Sequence, residues 1–382
     1  MRFNNVWPYR RILFTKRFLT SLWRSRRNII SSHLGYAPPA GPFMAELDVT
    51  YRCNCCCEMC QRWRDDRANE LTLDEYQKLA AAFHDQGVRV VSIAGGEPLM
   101  RDDIFAIIDA FAKYRMKVNL CTNGILLESC AETLCRSGAF CITVSIDGVT
   151  AQTHDKLRGT DGSFDQIKKG IKSFMAQSLP HQPLLRVRMT ISNRNTHEIR
   201  SFYEQWKNSA DDILLQPIHY CRDAFYTGFE EESLRLDPDL LEQQIEGTPL
   251  QTNGYLKKLI HSLRQTHTYP NERCYAGVLM VRIDPWGNVY PCLEQHVRIG
   301  SVREQDFRTI WNSSAFNHER TRIASEGNCR CWYNNTAMIS HYGKTLFHTT
   351  MSGLKQLSKS PLNAKTRTDH CCTLASRQPF HE

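Results

Sequence analysis

The sequence predicts an α/β protein: an incomplete (β/α)6 barrel followed by a small C-terminal domain that contains cysteines. Short β-branched or apolar runs alternate with helical patterns from Ala45 to about residue 220, as in βα units around a parallel sheet. Chemically distinctive clusters follow four of these runs, and cysteines return after residue 270. The loops after every strand converge in a barrel, whereas a doubly wound sheet gathers only those at its switch point, so the clusters favour a barrel.

Six strands are expected in the alternating region: Glu46 to Thr50, Val88 to Ala94, Lys117 to Cys121, Phe140 to Ile146, Leu184 to Ile191 and Asp212 to Pro217. Amphipathic segments separate these strands. The first, Thr72 to Gln86, opens with a Thr-x-x-Glu capping box and stops at Gly87. Strand and helix signals therefore alternate consistently along this half of the chain.

Composition excludes several classes of protein. Of the 382 residues, 41% are hydrophobic and 23% are charged, which is enough apolar matter for a core and an ordinary charge content. No run approaches the roughly 20 apolar residues of a membrane-spanning helix, and no secretion signal is visible. We therefore expect a cytoplasmic protein. In a reducing compartment, sixteen cysteines indicate metal ligation rather than disulfides.

The net charge of +8, from 48 Lys and Arg minus 40 Asp and Glu, comes from the start of the chain. Residues 1–45 contain eight bases and no acid, so the remainder is net neutral. Because a neutral body has no broad basic face, no nucleic acid partner is expected. Between Tyr9 and Ile30, apolar residues recur at helical spacing among the arginines. This basic amphipathic arm could pack on its own domain, contact an anionic membrane or dock on an acidic partner.

Five cysteines lie within eight residues, too close together for a set of mutual disulfides: Cys53, Cys55, Cys56, Cys57 and Cys60. Three thiolates from one short loop can hold three corners of a cubic iron-sulfur cluster and leave the fourth iron open to another ligand. Zinc normally takes four protein ligands in paired spacing, and this loop lacks a second pair unless distant residues complete it. Zinc and a purely structural group of cysteines are the alternatives.

The spacing Cys53-x3-Cys57-x2-Cys60, followed by Gly95-Gly96-Glu97-Pro98, resembles the radical S-adenosylmethionine (SAM) enzymes. The resemblance covers residues 45 to about 220 and includes three further motifs in the expected order: Thr122-Asn123-Gly124, Ser145-Ile146-Asp147-Gly148 and His154-Asp155-x-x-Arg158-Gly159. It implies a 4Fe-4S cluster whose open iron binds SAM. One-electron cleavage of the sulfonium would give a 5'-deoxyadenosyl radical that abstracts hydrogen from an unreactive C–H bond.

The resemblance also implies which residues form the site. The cluster ligands would be Cys53, Cys57 and Cys60. The backbone that meets the amino group of SAM would be that of Gly95, Gly96 and Glu97. The residues that face the SAM carboxylate would be Ser145 and Arg158, and the planar guanidinium suits that task. We also expect an electron donor such as flavodoxin or ferredoxin as a partner.

A second set of ligands is conceivable in this loop, because Cys55 and Cys56 stand where relatives usually have other residues. Met59 also replaces the aromatic residue that is common before the last cysteine. The alternative would be Cys53-x2-Cys56-x3-Cys60. We favour Cys57 over Cys56, because only Cys57 reproduces the family spacing.

A second group of cysteines lies near the C-terminal end: Cys274, Cys292, Cys329 and Cys331. The octet from Ile283 to Tyr290 predicts a hairpin that would bring the first two together. The group resembles the shortened SPASM, or twitch, extension of radical SAM enzymes, which carries one auxiliary iron-sulfur cluster. The resemblance implies that all four thiolates hold an auxiliary 4Fe-4S cluster, although relatives often have two residues, not one, between the last pair. A structural zinc ribbon is the alternative.

We predict four segments: a basic arm at 1–44, a radical SAM partial barrel at 45–235, an auxiliary-cluster domain at 236–340 and a loosely ordered tail at 341–382. The predicted function is a radical SAM oxidoreductase that acts on a small or lipid-linked metabolite. A peptide-modifying maturase is one alternative, and it would need a separate leader-recognition partner because the arm is too short for a recognition domain. A non-enzymatic electron carrier is the other, and it would need every cluster to be fully ligated.

Overall fold

The computed structural model describes residues 16–65, 67–218, 235–265, 273–293, 296–326 and 331–359. Six parallel strands form its centre: β1 (Met44–Thr50), β2 (Val90–Gly95), β3 (Lys117–Thr122), β4 (Ala139–Ser145), β5 (Leu184–Ile191) and β6 (Asp212–Pro217). In the sheet they follow one another in sequence order, from β1 to β6. All six predicted strands are confirmed. An order without a switch point is that of a partial barrel rather than of a doubly wound sheet.

The helix α1 (Lys16–His33) precedes the barrel. The helices that follow the strands cover the outer face of the sheet: α2 (Leu73–Gln86), α3 (Ile104–Ala112), α4 (Leu127–Arg136), α5 (Ala151–Arg158), α6 (Ser163–Ala176) and α7 (Ile199–Trp206). The predicted capping box of α2 is present, since Thr72 and Glu75 each accept the other's backbone N–H. Gly87, in the left-handed conformation, ends the helix.

Side chains alternate along the strands and give the barrel a polar interior. In β5, Val187 and Met189 are fully buried in the apolar core, whereas the alternate residues Arg186, Arg188 and Thr190 are half-buried. Successive side chains of a strand point to opposite faces. The core therefore lies between sheet and helices, and the barrel interior has polar groups available for a site.

The described residues of the C-terminal domain form three strands and five helices: β7 (Met280–Ile283), β8 (Asn288–Tyr290), β9 (Gly300–Ser301), α8 (Pro238–Ile245), α9 (Gly254–Gln265), α10 (Phe307–Trp311), α11 (Ser314–Glu326) and α12 (Asn334–Lys359). The predicted hairpin is present as the antiparallel pair β7 and β8. β7 also pairs in parallel with β1, which extends the barrel sheet to nine strands. The sequence does not predict this pairing, which covers the exposed edge of β1.

The described part of the N-terminal arm packs on the C-terminal domain. Ile29 is fully buried, and the Asn28 side chain donates to the carbonyls of Gly41 (3.0 Å) and Val278 (3.4 Å). This supports the interpretation that the amphipathic helix packs on its own protein, and membrane contact has no support. Residues 1–15 lie outside the described part of the chain.

The predicted tail differs from the structure over its first part. α12 crosses the predicted boundary at residue 340 and continues to Lys359. Leu346 is buried there, and Phe347 stacks on His33 of α1 with ring centroids 3.9 Å apart. An apolar helix face that covers another helix orders this segment. In the ranges that the structure describes, no helix combines the length and apolar composition needed to cross a membrane.

Candidate functional site

A cavity of about 950 Å³, including its open mouth, lies at the carboxyl ends of the barrel strands. Its wall brings together residues from the five sequence motifs: Cys53, Cys57, Cys60, Gly95, Gly96, Thr122, Asn123, Ser145 and Arg158. These motifs are up to about a hundred positions apart in the chain. The barrel topology unites them because each follows a parallel strand at the same end of the sheet.

The cysteine loop connects β1 to α2 and directs most of its thiols into the cavity. Cys57 is 9% exposed, and its sulfur lies 3.7 Å from Arg158 Nη1. Cys53 contacts the amide of Asn123 at 3.9 Å. Cys56, in contrast, is exposed and is not part of the cavity wall. This placement favours Cys57 over Cys56 as a ligand.

Cys55 is a cavity residue that the motif does not identify. It is 2% exposed, and its thiol lies within hydrogen-bonding reach of the thiols of Cys53 and Cys57. The hydrogen bond from Cys55, together with the nearby Arg158 guanidinium, lowers the pKa of Cys57 to about 6 despite burial. The thiolate is the form that binds metal, so the loop is prepared for ligation.

Two glycines let the segment after β2 approach the start of the cysteine loop. Gly95 has a φ of +131°, and a Cβ there would lie 2.2 Å from the Thr50 carbonyl oxygen. A Cβ on Gly96 would lie 2.3 Å from the Arg52 carbonyl oxygen. Any side chain at either position would therefore force the two segments apart. The result is a backbone cradle beside Cys53.

Glu97 lies behind this cradle, with its carboxylate turned away from the cavity. It is fully buried and accepts hydrogen bonds from the Asn123 N–H (2.6 Å) and the Thr122 hydroxyl (2.8 Å). Burial raises the pKa of Glu97 to about 7, although these hydrogen bonds oppose the effect. The side chain thus holds the second and third motifs together, and only the backbone of the segment is available to a ligand.

Arg158 lines the cavity but is already engaged by a carboxylate. Its Nε lies 2.7 Å from Asp147 Oδ2, and Asp147 also accepts the Thr190 N–H at 2.7 Å. Asp147 is fully buried. Arg158 therefore already pairs with a carboxylate of the protein. A ligand carboxylate would have to share the guanidinium with Asp147.

Arg188 is a second guanidinium on the cavity wall, and the motifs do not point to it. It stands opposite Ser145 in the pairing of β4 and β5, and its Nη2 donates to the Ser145 hydroxyl at 2.9 Å. In the described ranges, no carboxylate lies within 4 Å of this guanidinium, and its buried Nε has no hydrogen-bond partner. The signal in the sequence is the run of polar residues at alternate positions of β5, at Arg186, Arg188 and Thr190.

These residues fit a cluster and an amino acid ligand. Four thiols of the cysteine loop occupy one part of the wall, and a glycine backbone lies beside them. A guanidinium N–H that has no partner among the described residues is available for a carboxylate. Across the described ranges, no three His, Cys, Asp or Glu side chains are grouped so as to hold a single metal ion.

Three members of the second cysteine group are described. Cys292 and Cys331 are buried, and Cys274 is half-buried. Cys274 and Cys292 belong to the same apolar cluster, whereas Cys331 packs with Leu293 and Tyr333. Cys329 lies outside the described residues. The hairpin thus places Cys274 and Cys292 in one cluster, and Leu293 connects Cys292 to Cys331.

The segment after Cys331 bridges the open side of the partial barrel. Asn334 donates to the Leu215 carbonyl of β6 (3.2 Å), and the Asn335 amide donates to Glu46 of β1. Tyr333, the residue before Asn334, lines the cavity. A predicted auxiliary ligand therefore lies two residues from the wall of the barrel cavity, which the sequence does not indicate.

A buried ion network also connects the two domains. Arg282 of β7 lies 2.7 Å from the carboxylate of Asp48, which in turn lies 3.5 Å from Arg62. Arg62 donates to the Gly95 carbonyl at 3.2 Å and lines the cavity. All three side chains are less than one-tenth exposed. Through them the C-terminal domain supports the backbone cradle.

Two family models match the chain in the regions that carry these sites. The model of the Radical SAM superfamily matches residues 47–205. The SPASM model, an iron-sulfur cluster-binding domain, matches residues 274–332. The first match covers most of the barrel, from β1 into α7, and the second covers the second cysteine group.

Similar proteins extend over most of the chain. The AdoMet-dependent heme synthase of Methanosarcina barkeri (strain Fusaro / DSM 804) is 29% identical over 312 residues, covering 75% of this chain and 87% of that protein. Mycofactocin maturase MftC of Mycobacterium tuberculosis (strain CDC 1551 / Oshkosh) is 25% identical over 308 residues, covering 75% of each chain. The crystal structure of Streptococcus suis SuiB bound to the precursor peptide SuiA has a TM-score of 0.62 at 16% identity, covering 80% of this chain and 75% of that one. This last likeness concerns the fold alone.

Proposed function

Since this chain belongs to the radical SAM superfamily and carries a SPASM domain, we propose that it is a maturase that modifies a peptide. The family and the fold class predicted from the sequence are confirmed, and the protein is an enzyme that uses a 4Fe-4S cluster and SAM, with auxiliary iron-sulfur chemistry in the SPASM domain. When bound, these cofactors supply one-electron cleavage of the sulfonium and hydrogen abstraction from a substrate C–H bond.

The similarity to maturases supports the proposal that the substrate is a peptide. MftC is a maturase by name, and SuiB, which shares the fold, was solved with a precursor peptide. The small or lipid-linked metabolite suggested by the sequence lacks this support, so the maturase alternative replaces it. The open mouth of the barrel cavity would admit one side chain of a longer chain while the rest stays outside.

For the cluster and SAM, we assign roles to the chain's own cavity residues. Cys53, Cys57 and Cys60 would hold the cluster, and the backbone at Gly95 and Gly96 would meet the amino group of SAM. Ser145 would face the carboxylate together with Arg188, because Arg158 is paired with Asp147. The orphan N–H of Arg188 supports this assignment, since guanidinium pairs with carboxylate in a planar fork.

For the auxiliary cluster, we assign Cys274, Cys292, Cys329 and Cys331 as ligands. Tyr333 connects this assignment to the barrel cavity, because Tyr333 lies on the cavity wall two residues after Cys331. Loss of an auxiliary ligand would thus disturb the cavity as well as the metal content. A flavodoxin or ferredoxin as electron donor stays a prediction.

The test uses anaerobically reconstituted enzyme, SAM, a chemical reductant and synthetic peptides encoded by genes beside its own. We expect one such peptide to change mass only when SAM and reductant are present, with 5'-deoxyadenosine formed alongside. Cys57→Ala should abolish both products, and Cys56→Ala should retain them. If 5'-deoxyadenosine formation responds to a small metabolite and no peptide changes mass, the peptide proposal is wrong.

A further inference from the structure

A second cavity lies between the end of α1 and α11, outside the barrel. Its volume is about 750 Å³ including its open mouth, and it shares no lining residue with the barrel cavity. Two guanidinium groups, Arg273 and Arg320, and the imidazole of His33 line it. None of the described residues that line it is acidic. We call it the basic groove.

Arg320 is a buried cation in this groove without a described counter-ion. It is 5% exposed and packs on the rings of Trp311 and Phe316. Its guanidinium donates to the Gly277 carbonyl (2.6 Å), the Trp311 carbonyl (2.7 Å) and the Asn317 amide oxygen (2.5 Å). These acceptors are neutral and use three of the five N–H groups. Burial lowers the pKa of Arg320, and no carboxylate among the described residues pairs with its guanidinium.

Arg273 adds a second donor that is not fully used. Its Nη2 donates to the backbone oxygen (2.8 Å) and the hydroxyl (3.1 Å) of Ser32. Its Nε is buried and has no hydrogen-bond partner among the described residues. Two guanidiniums with unused N–H groups, in a groove whose described lining residues include no acid, are complementary to an oxyanion.

We propose that the basic groove binds the carboxylates of an acidic peptide segment. This proposal rests on the proposed peptide substrate and deepens it by naming a place where the peptide is held outside the barrel. An oxyanion alone would fill little of a groove of this volume, whereas a peptide would occupy its length. Tyr36 (70% exposed) and Leu34 (65%) lie at the same end of α1 and offer apolar contacts to neighbouring side chains.

The experiment measures peptide binding by the reconstituted full-length enzyme, without turnover. A fluorescein-labelled dodecapeptide of alternating Glu and Gly is compared, by anisotropy at constant ionic strength, with the same peptide carrying Gln for Glu. We expect the Glu peptide to bind at least about tenfold more tightly. Ala324→Glu places a carboxylate on the groove wall without removing an arginine, and Arg273→Gln removes a donor. Each should weaken binding by about tenfold or more while iron content stays at the wild-type level.

The matched control is Arg308→Gln, which removes one exposed arginine of α10 outside the groove. It should change binding less than about twofold. If it weakens binding as much as Ala324→Glu does, the peptide binds by overall charge and the proposal is wrong. If inorganic phosphate competes as well as unlabelled Glu peptide at equal charge, the groove is a site for a free anion and the peptide assignment is overturned. Binding is measured without catalysis, so a failure here is distinct from a failure to modify any peptide.

Discussion

The two cysteine regions differ in how the fold holds them. The first is a single loop at the mouth of the barrel, with Cys53, Cys57 and Cys60 on the wall of an open cavity. The second is spread over the hairpin and the start of α12, where Cys292 and Cys331 are buried. Thiols beside an open cavity can share a cluster with a small ligand, which agrees with the role proposed for the first set. The described thiols of the second set lie outside the cavity wall, which agrees with ligation by the protein alone.

The two regions are also physically joined. The Arg282–Asp48–Arg62 network connects β7 to the cradle at Gly95, and Tyr333 reaches the cavity wall. The C-terminal domain is therefore part of the structure that shapes the first site.

The largest effect is expected when the first site loses a ligand. Cys57→Ala should abolish formation of 5'-deoxyadenosine and remove about four irons per chain, because the open cluster needs all three thiolates. Cys56→Ala should keep both, since its side chain is exposed outside the cavity. Iron analysis and chromatography of the anaerobic reaction provide the measurement. The reverse result would assign the ligands to the other register.

The second site is tested by Cys292→Ala. Wild-type protein should hold about eight irons, and the variant should keep about four while SAM still perturbs the spectrum of the first cluster. Cys135→Ala is the matched control, because Cys135 is equally buried but lies in the apolar core. It should lose no iron. Detection of zinc in wild-type protein, with four irons per chain, would instead identify the second site as a zinc ribbon.

The connection between the regions is tested by Arg282→Met. Removing this guanidinium leaves the buried carboxylate of Asp48 undercompensated, which should lower the free energy of unfolding by about 3–5 kcal/mol. The control is Arg303→Gln, which breaks an ion pair with Glu75 that also joins the two domains but is about one-third exposed. That loss should cost about 0–1 kcal/mol. Equal losses in denaturant titrations would contradict a special role for the buried network.

The smallest effect concerns pH and Glu46, which lies where the segment after Cys331 meets β1. Burial raises the pKa of Glu46 from an ordinary 4.5 to about 7, partly opposed by the hydrogen bond from Asn335. Folding therefore favours the protonated carboxyl. Its stabilising contribution is complete below pH 4.5 and is lost as pH rises through 7, by roughly 3 kcal/mol in all.

Glu46→Gln should remove this dependence. Denaturation midpoints between pH 5 and pH 8 should fall less steeply for the variant than for the wild type. Glu97, whose pKa is raised in the same direction, remains in both proteins and contributes to the slope that is left. Identical slopes would mean that Glu46 does not titrate in this range.

Much of the fold can be predicted from local sequence patterns. The six strands, the capping box of α2 and the hairpin depend on periodicity and on residues a few positions apart. The motif residues on the cavity wall follow from a simple rule, because every cluster comes directly after a parallel strand. The family resemblance then supplied their chemistry, and it also suggested the auxiliary site.

Other features depend on contacts between residues that are distant in the chain. Whether Cys56 or Cys57 faces the cavity is decided by how the loop packs, because both positions have the same chemistry. In the folded chain, Cys57 contacts Arg158 and Cys56 is exposed. The engagement of Arg158 by Asp147 leaves Arg188 available beside Ser145, and only the pairing of β4 with β5 makes this visible. The parallel addition of β7 to β1, the bridge from Asn335 to Glu46 and the basic groove likewise arise from packing over hundreds of positions. Local sequence determines secondary-structure propensity and side-chain chemistry. Contacts between distant residues contribute free energy only after folding has brought those residues together.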